Sequence, residues 1–212
     1  MRIGTSLVLL AGLACPGLAQ DGDVTGRAFV DAFAEACVPG RLSYEGTRQA
    51  ALDAGWTAGE DGDDPELAAL MALAREEMHD PENPDWKGEA QVFSREVPGR
   101  AGTHYLVATY LVAPDVINMI GCHLYDFSAT EIIDPALVSA LTGNDISQSV
   151  DQDGVVNHVW GPACPWPRTF DTHLTLIREA SAAQEFTGFS GLMLKFETSE
   201  PAAGEVVPDT YC

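Results

Sequence analysis

Apolar residues recur every three or four positions in the first third of the chain, and in alternating or continuous runs after it. Between residues 26 and 37, Phe29, Phe33 and Cys37 fall at steps of four, with Val30 and Ala34 beside them. Arg27, Asp31 and Glu35 take the opposite side. That is the period of an amphipathic helix, ended by Pro39-Gly40. A second helix is expected over 44–54, capped by Ser43, stopped by Gly55 and followed by Trp56 as an apolar anchor. The clearest helix start lies at Asp64-Pro65-Glu66: a capping carboxylate, a proline at the first helical position and an acid that complements the dipole. Leu67, Leu70, Met71, Ala74 and Met78 form its apolar stripe as far as Asp80-Pro81, the methionines serving as core filler.

From residue 91 the pattern becomes that of strands. A first strand is expected over 91–97, ended by Pro98-Gly99. Residues 103–112 and 116–127 are rich in Val, Ile, Tyr, Thr and Leu and flank Pro114-Asp115, which predicts a buried hairpin. Asp134, Pro135 and Gly143 bracket a short helix. The runs 146–151 and 155–160 flank Asp153-Gly154, a dipeptide that favours a tight hairpin turn. Strands over 173–177 and 191–196 complete the set, the former able to continue as helix to Ala183. Helices first and antiparallel strands later predict an α+β fold, with N-terminal helices packed on an antiparallel sheet.

The extreme N-terminus changes the expected compartment. Arg2 precedes an apolar stretch from Ile3 to Ala14, and the small residues Gly17 and Ala19 follow. This is the pattern of a secretory signal, and the stretch is short of the roughly 20 apolar residues a membrane-spanning helix needs. The expected organisation is a signal peptide over 1–19 and a single α+β domain over 20–212, periplasmic or secreted, with no membrane span in the mature chain. Lipidation at Cys15 is the rival, but Gly12 stands where a lipobox has Leu, so Cys15 is expected to leave with the signal.

Of the five cysteines, Cys37, Cys122, Cys164 and Cys212 then remain. An even count in an exported chain predicts two disulfides, and no C-x-x-C pair suggests a redox or zinc motif. With a two-residue turn at Pro114-Asp115, Ala113 faces Val116 and Cys122 faces Val107. Cys122 then shares a face with Tyr105, Leu111, Ile120 and Leu124. Cys37 sits on the stripe of the first helix, so docking that helix predicts Cys37–Cys122 and leaves Cys164–Cys212.

The chain carries 32 acidic against 11 basic residues, a formal charge of −21, and its lysines are Lys87 and Lys195 alone. Such a surface disfavours nucleic acid and anionic lipid, both bound mainly through Lys and Arg. It suits solubility, or a basic partner.

Candidate chemistry is sparse. Asp151, Asp153, Gly154 and Asn157 resemble the middle of a calcium loop, but Trp160 stands where the closing bidentate acid belongs, and a hairpin turn explains the same residues. On the register above, His104 and His123 share one sheet face on a diagonal of approximately 7–8 Å, with Tyr125 opposite His104. Two imidazoles there could ligate zinc or copper if His158 or His173 supplied a third donor. Gly188-Phe189-Ser190-Gly191-Leu192 approaches the G-x-S-x-G elbow but ends in Leu. No cofactor motif is present.

The run Phe33-x-x-x-Cys37, then Tyr44, Ala50-Ala51 and Ala54-Gly55-Trp56, resembles the start of small exported proteobacterial proteins of unknown function. The resemblance covers residues 33–56 and implies compartment and fold but no activity. Together these observations predict an exported acidic protein acting as a non-catalytic binding or interaction domain for a protein or small ligand. The alternative is a hydrolase or metal-dependent enzyme with its site near His104 and His123.

Overall fold

The computed structural model describes residues 23–78, 85–113 and 117–210, and its first helix starts two residues earlier than expected, on a cap not anticipated. Asp23 accepts from the Gly26 N–H at 2.7 Å and opens α1 (Val24–Cys37). Ser43 does the same for α2 (Tyr44–Asp53). Asp64 accepts from the N–H groups of Glu66 and Leu67 ahead of α3 (Pro65–Met78). Asp134 caps α4 (Pro135–Thr142), which Gly143 ends in the left-handed conformation that only glycine adopts without strain. The expected signal peptide and Cys15 lie outside the described residues.

The strands are β1 (Thr57–Gly59), β2 (Lys87–Glu96), β3 (Thr103–Ala113), β4 (Ile117–Asp126), β5 (Gln148–Gln152), β6 (Val155–Trp160), β7 (Thr172–Ile177) and β8 (Gly191–Ser199). They form one antiparallel sheet in the order β1-β2-β3-β4-β8-β7-β6-β5. Two meanders therefore meet along a seam where the last strand pairs with β4. The α+β class is as expected. β1 was not anticipated from the sequence, nor was α5 (Ala182–Thr187), a separate helix beyond the end of β7. Asp153 and Gly154 have φ of 54° and 85°, the pair of positive values a type I′ turn requires.

The β3–β4 hairpin differs from expectation by one residue. Ala113 pairs with Ile117, not Val116, so Cys122 lies opposite Ala108 and His123 opposite Val107. Because side chains alternate along a strand, a one-residue slip exchanges the faces of the whole partner strand. Leu106, Ala108, Cys122, Leu124, Leu194 and Phe196 thus share one buried face, in one apolar cluster with Phe29, Phe33 and Val138. Phe33 meets Phe196 edge-on at 5.3 Å. Tyr105, Val107 and Tyr125 occupy the other face, in a second cluster with Leu67, Met71 and Phe189.

Cys37 and Cys122 are joined, as predicted, closing 85 residues of sequence separation. Cys164 is also disulfide-bonded, whereas Cys212, its expected partner, lies outside the described residues. Among the described residues no helix is long and apolar enough to cross a membrane.

Candidate functional site

Asp126, at the end of β4, is 2% exposed and is surrounded by donors. Arg100 gives Nε and Nη2 to its Oδ2, both at 2.7 Å, and His104 Nε2 lies 3.2 Å from the same oxygen. The Ser128 N–H and Oγ–H donate to Oδ1 at 3.0 and 2.7 Å. Burial opposes ionisation here, but the hydrogen bonds from His104, Ser128 and Arg100 outweigh it and hold the carboxyl well below its usual range. A hydroxyl is activated when an imidazole stands between it and a carboxylate. Here the carboxylate stands in the middle, so no imidazole lies between it and Ser128. Arg100 also lies 5.1 Å from the centre of the Phe29 ring, which fixes the cluster to α1. An adjoining cavity of about 380 Å³ is lined by Asp23, Arg100 and Glu131, but Arg100 is already committed to Asp126.

Ser190, the serine of the near-elbow segment, is equally committed. Its Oγ–H and N–H donate to Glu66 Oε1 at 2.9 and 3.1 Å, and Gln184 Nε2 adds 3.0 Å. One carboxylate on α3 therefore clamps α5 and the start of β8. Gly191 follows with φ of 104°, and a Cβ there would lie 2.3 Å from the Asp126 carbonyl oxygen. The segment is a joint between elements, its hydroxyl held by the Glu66 carboxylate.

The expected His104/His123 pair is not assembled. The corrected register puts His104 beside Asp126 and the Phe29 ring, on the face opposite His123. His158 donates to or accepts from Ser149 at 2.9 Å near the sheet edge. Among the described histidines only His173 joins His123 on its face, and Lys195 stands in register between them. No group of three or more His, Cys, Asp or Glu side chains among the described residues is placed to hold a metal ion. Asp151 and Asn157 belong to the β5–β6 hairpin, where Asp151 pairs with Arg178.

His123 and Lys195 of that row floor a concavity between α3 and α5. α3 contributes Leu70, Leu73 and Ala74 to one wall, and Phe186, Thr187 and Phe189 form the other. His123, Tyr125, Met193 and Lys195 lie between them, and the cleft encloses about 770 Å³. Gly121 makes the floor possible: a Cβ there would stand 2.6 Å from His123 Nε2, where the imidazole now lies. The ring runs parallel to Tyr125, which meets Phe189 edge-on at 5.4 Å. Burial, reinforced by the Lys195 charge, pushes His123 down to about 4 against the pull of Glu197. His173 is lowered by the same two causes. Burial raises Tyr125. For Glu197 burial acts upward, but Lys195 and His123 together draw it down. At neutral pH the floor thus presents neutral imidazole, protonated phenol and an ammonium. Thr187, the remaining hydroxyl, donates to the Ala183 carbonyl at 2.8 Å.

Sequence reasoning missed this cleft. His123 and Lys195 are 72 positions apart, and their meeting depends on β8 entering the sheet beside β4. Comparison with known proteins found no matching family model, no matching curated protein and no matching solved structure.

Proposed function

We propose that this chain is an exported, non-catalytic binding domain, its working part residues 20–212, and that it takes a small ligand with an apolar body into the cleft between α3 and α5. The observation that carries this reading is the cleft itself: aliphatic and aromatic walls over a floor with a few polar groups, about 770 Å³ in volume. Small-molecule sites have that composition and run to roughly 300–1,000 Å³. Three further observations support it. The Ser128, Ser190 and Thr187 hydroxyls are each bonded to a carboxylate or carbonyl. The Glu66 clamp pins one wall to the other, a preorganisation that lowers the cost of binding. The Cys37–Cys122 bond suits an oxidising compartment.

The test is a titration with the neutral fluorophore N-phenyl-1-naphthylamine, which brightens in apolar surroundings. Saturable binding to one site is expected, lost when Ala74→Trp fills the cleft without touching the floor. Absence of saturable binding, or equal binding by the Trp variant, would remove the reading. A protein captured instead through the acidic surface would support the interaction-domain alternative.

A further inference from the structure

We infer that the polar end of the ligand is an anion, a carboxylate on an apolar chain, received at the cleft floor by Lys195. The inference rests on the binding-domain reading and adds the chemistry of the head group.

Lysine occurs in this chain only at 87 and 195. One of those two residues has been placed on a central strand, its side chain 26% exposed and part of the cleft floor. An ammonium has three N–H donors. Glu197 takes one at 3.0 Å, and Glu197 does not itself line the cleft. The neighbouring floor groups also give hydrogen bonds. A neutral imidazole offers one N–H, and the Tyr125 phenol retains its proton. Among the described residues, the one carboxylate along the cleft is Glu76, exposed on the α3 rim. Imidazole and phenol can accept as well as donate and so suit either head, which leaves the choice to the Lys195 cation: it favours a negative head and disfavours an amine.

The net charge of −21 acts against any anion at a distance. At physiological ionic strength that field is screened beyond about 8 Å, whereas a direct ion pair at hydrogen-bond distance is not. The contact at Lys195 therefore decides. The remainder of the ligand is set by Leu70, Leu73, Phe186, Phe189 and Met193, of which Phe186 is 84% and Leu73 39% exposed without a ligand. Burying a methylene there tightens binding about fourfold.

Displacement of N-phenyl-1-naphthylamine from the full mature chain by dodecanoate, dodecanol and dodecylamine tests this. Dodecanoate is expected to compete about tenfold better than dodecylamine. Lys195→Met should weaken dodecanoate by about tenfold and leave dodecanol within twofold. Lys195→Gln, which keeps a donor without the charge, should fall between them, with a urea midpoint near that of the wild type showing that the fold is intact. Amine competing as well as carboxylate, or dodecanoate indifferent to Lys195→Met, would overturn the anion. Failure of the dye itself to bind would instead overturn the binding-domain reading.

Discussion

His123 lies directly across from Lys195 in the β4–β8 ladder, and burial, reinforced by that neighbouring charge, disfavours protonation of a histidine at the floor of a cleft in an acidic protein. The ring titrates at about 4 in the folded chain against an ordinary value of 6.5. As pH falls, the unfolded chain therefore takes up this proton first. The contribution of His123 to stability is whole above pH 6.5 and declines down to about 4. His173, lowered in the same direction, adds to the slope. Urea unfolding of the wild type should lose about 1–3 kcal/mol more than His123→Gln between those limits. Parallel stability curves for the two proteins would contradict the assignment.

Asp126 is the least replaceable polar side chain among the described residues. Asp126→Ala leaves Arg100 and His104 without their common acceptor and strips the buried Arg100 charge of its partner, which costs about 3–5 kcal/mol. Asp126→Asn should cost less, because an amide oxygen still accepts. The carboxyl is depressed in the folded state, so its contribution is full above the usual carboxylate range of about 4. It is lost only as pH falls further, through the folded value. The gap between wild type and Asp126→Asn, measured by denaturant unfolding, should stay constant from neutrality to about pH 4 and then close.

Removing the Cys37–Cys122 bond by a double alanine substitution should cost about 2–5 kcal/mol, since it closes a long stretch of chain. Peptide mapping without reductant should recover Cys37 with Cys122 and Cys164 with Cys212. A Cys212 thiol that labels freely in native protein would refute the second pairing.

Gly154→Ala should lower stability by about 1–3 kcal/mol. Its φ is +85°, and a Cβ would approach that of Ser181 to 2.4 Å. Gly62→Ala is the control: a Cβ there has open space, so thermal unfolding should move within the equivalent of about 0.5 kcal/mol.

Local chemistry was legible in the sequence. Asp23 was not singled out as a cap, but Ser43, Asp64 and Asp134 were, and each bonds as its side chain requires. The Cys37–Cys122 pairing also followed from alternation along β4, whichever strand lay opposite. The histidines show where such reasoning stops. Proximity of His104 to His123 depended on how many residues fill the turn after Ala113, and one extra residue sends them to opposite faces. The cleft was beyond reach for another reason. Its floor needs β8 beside β4, and its second wall needs α5, whose six residues carry too little periodicity to stand out.

The placement of β8 also determines the order in which this molecule can be completed. Until residues 191–199 emerge, β4 and β7 each present a raw edge able to pair with another chain. The half-made protein is thus two open ribbons, and the final strand zips them together. The last strand in sequence is therefore the one that removes two open edges from the middle of the sheet.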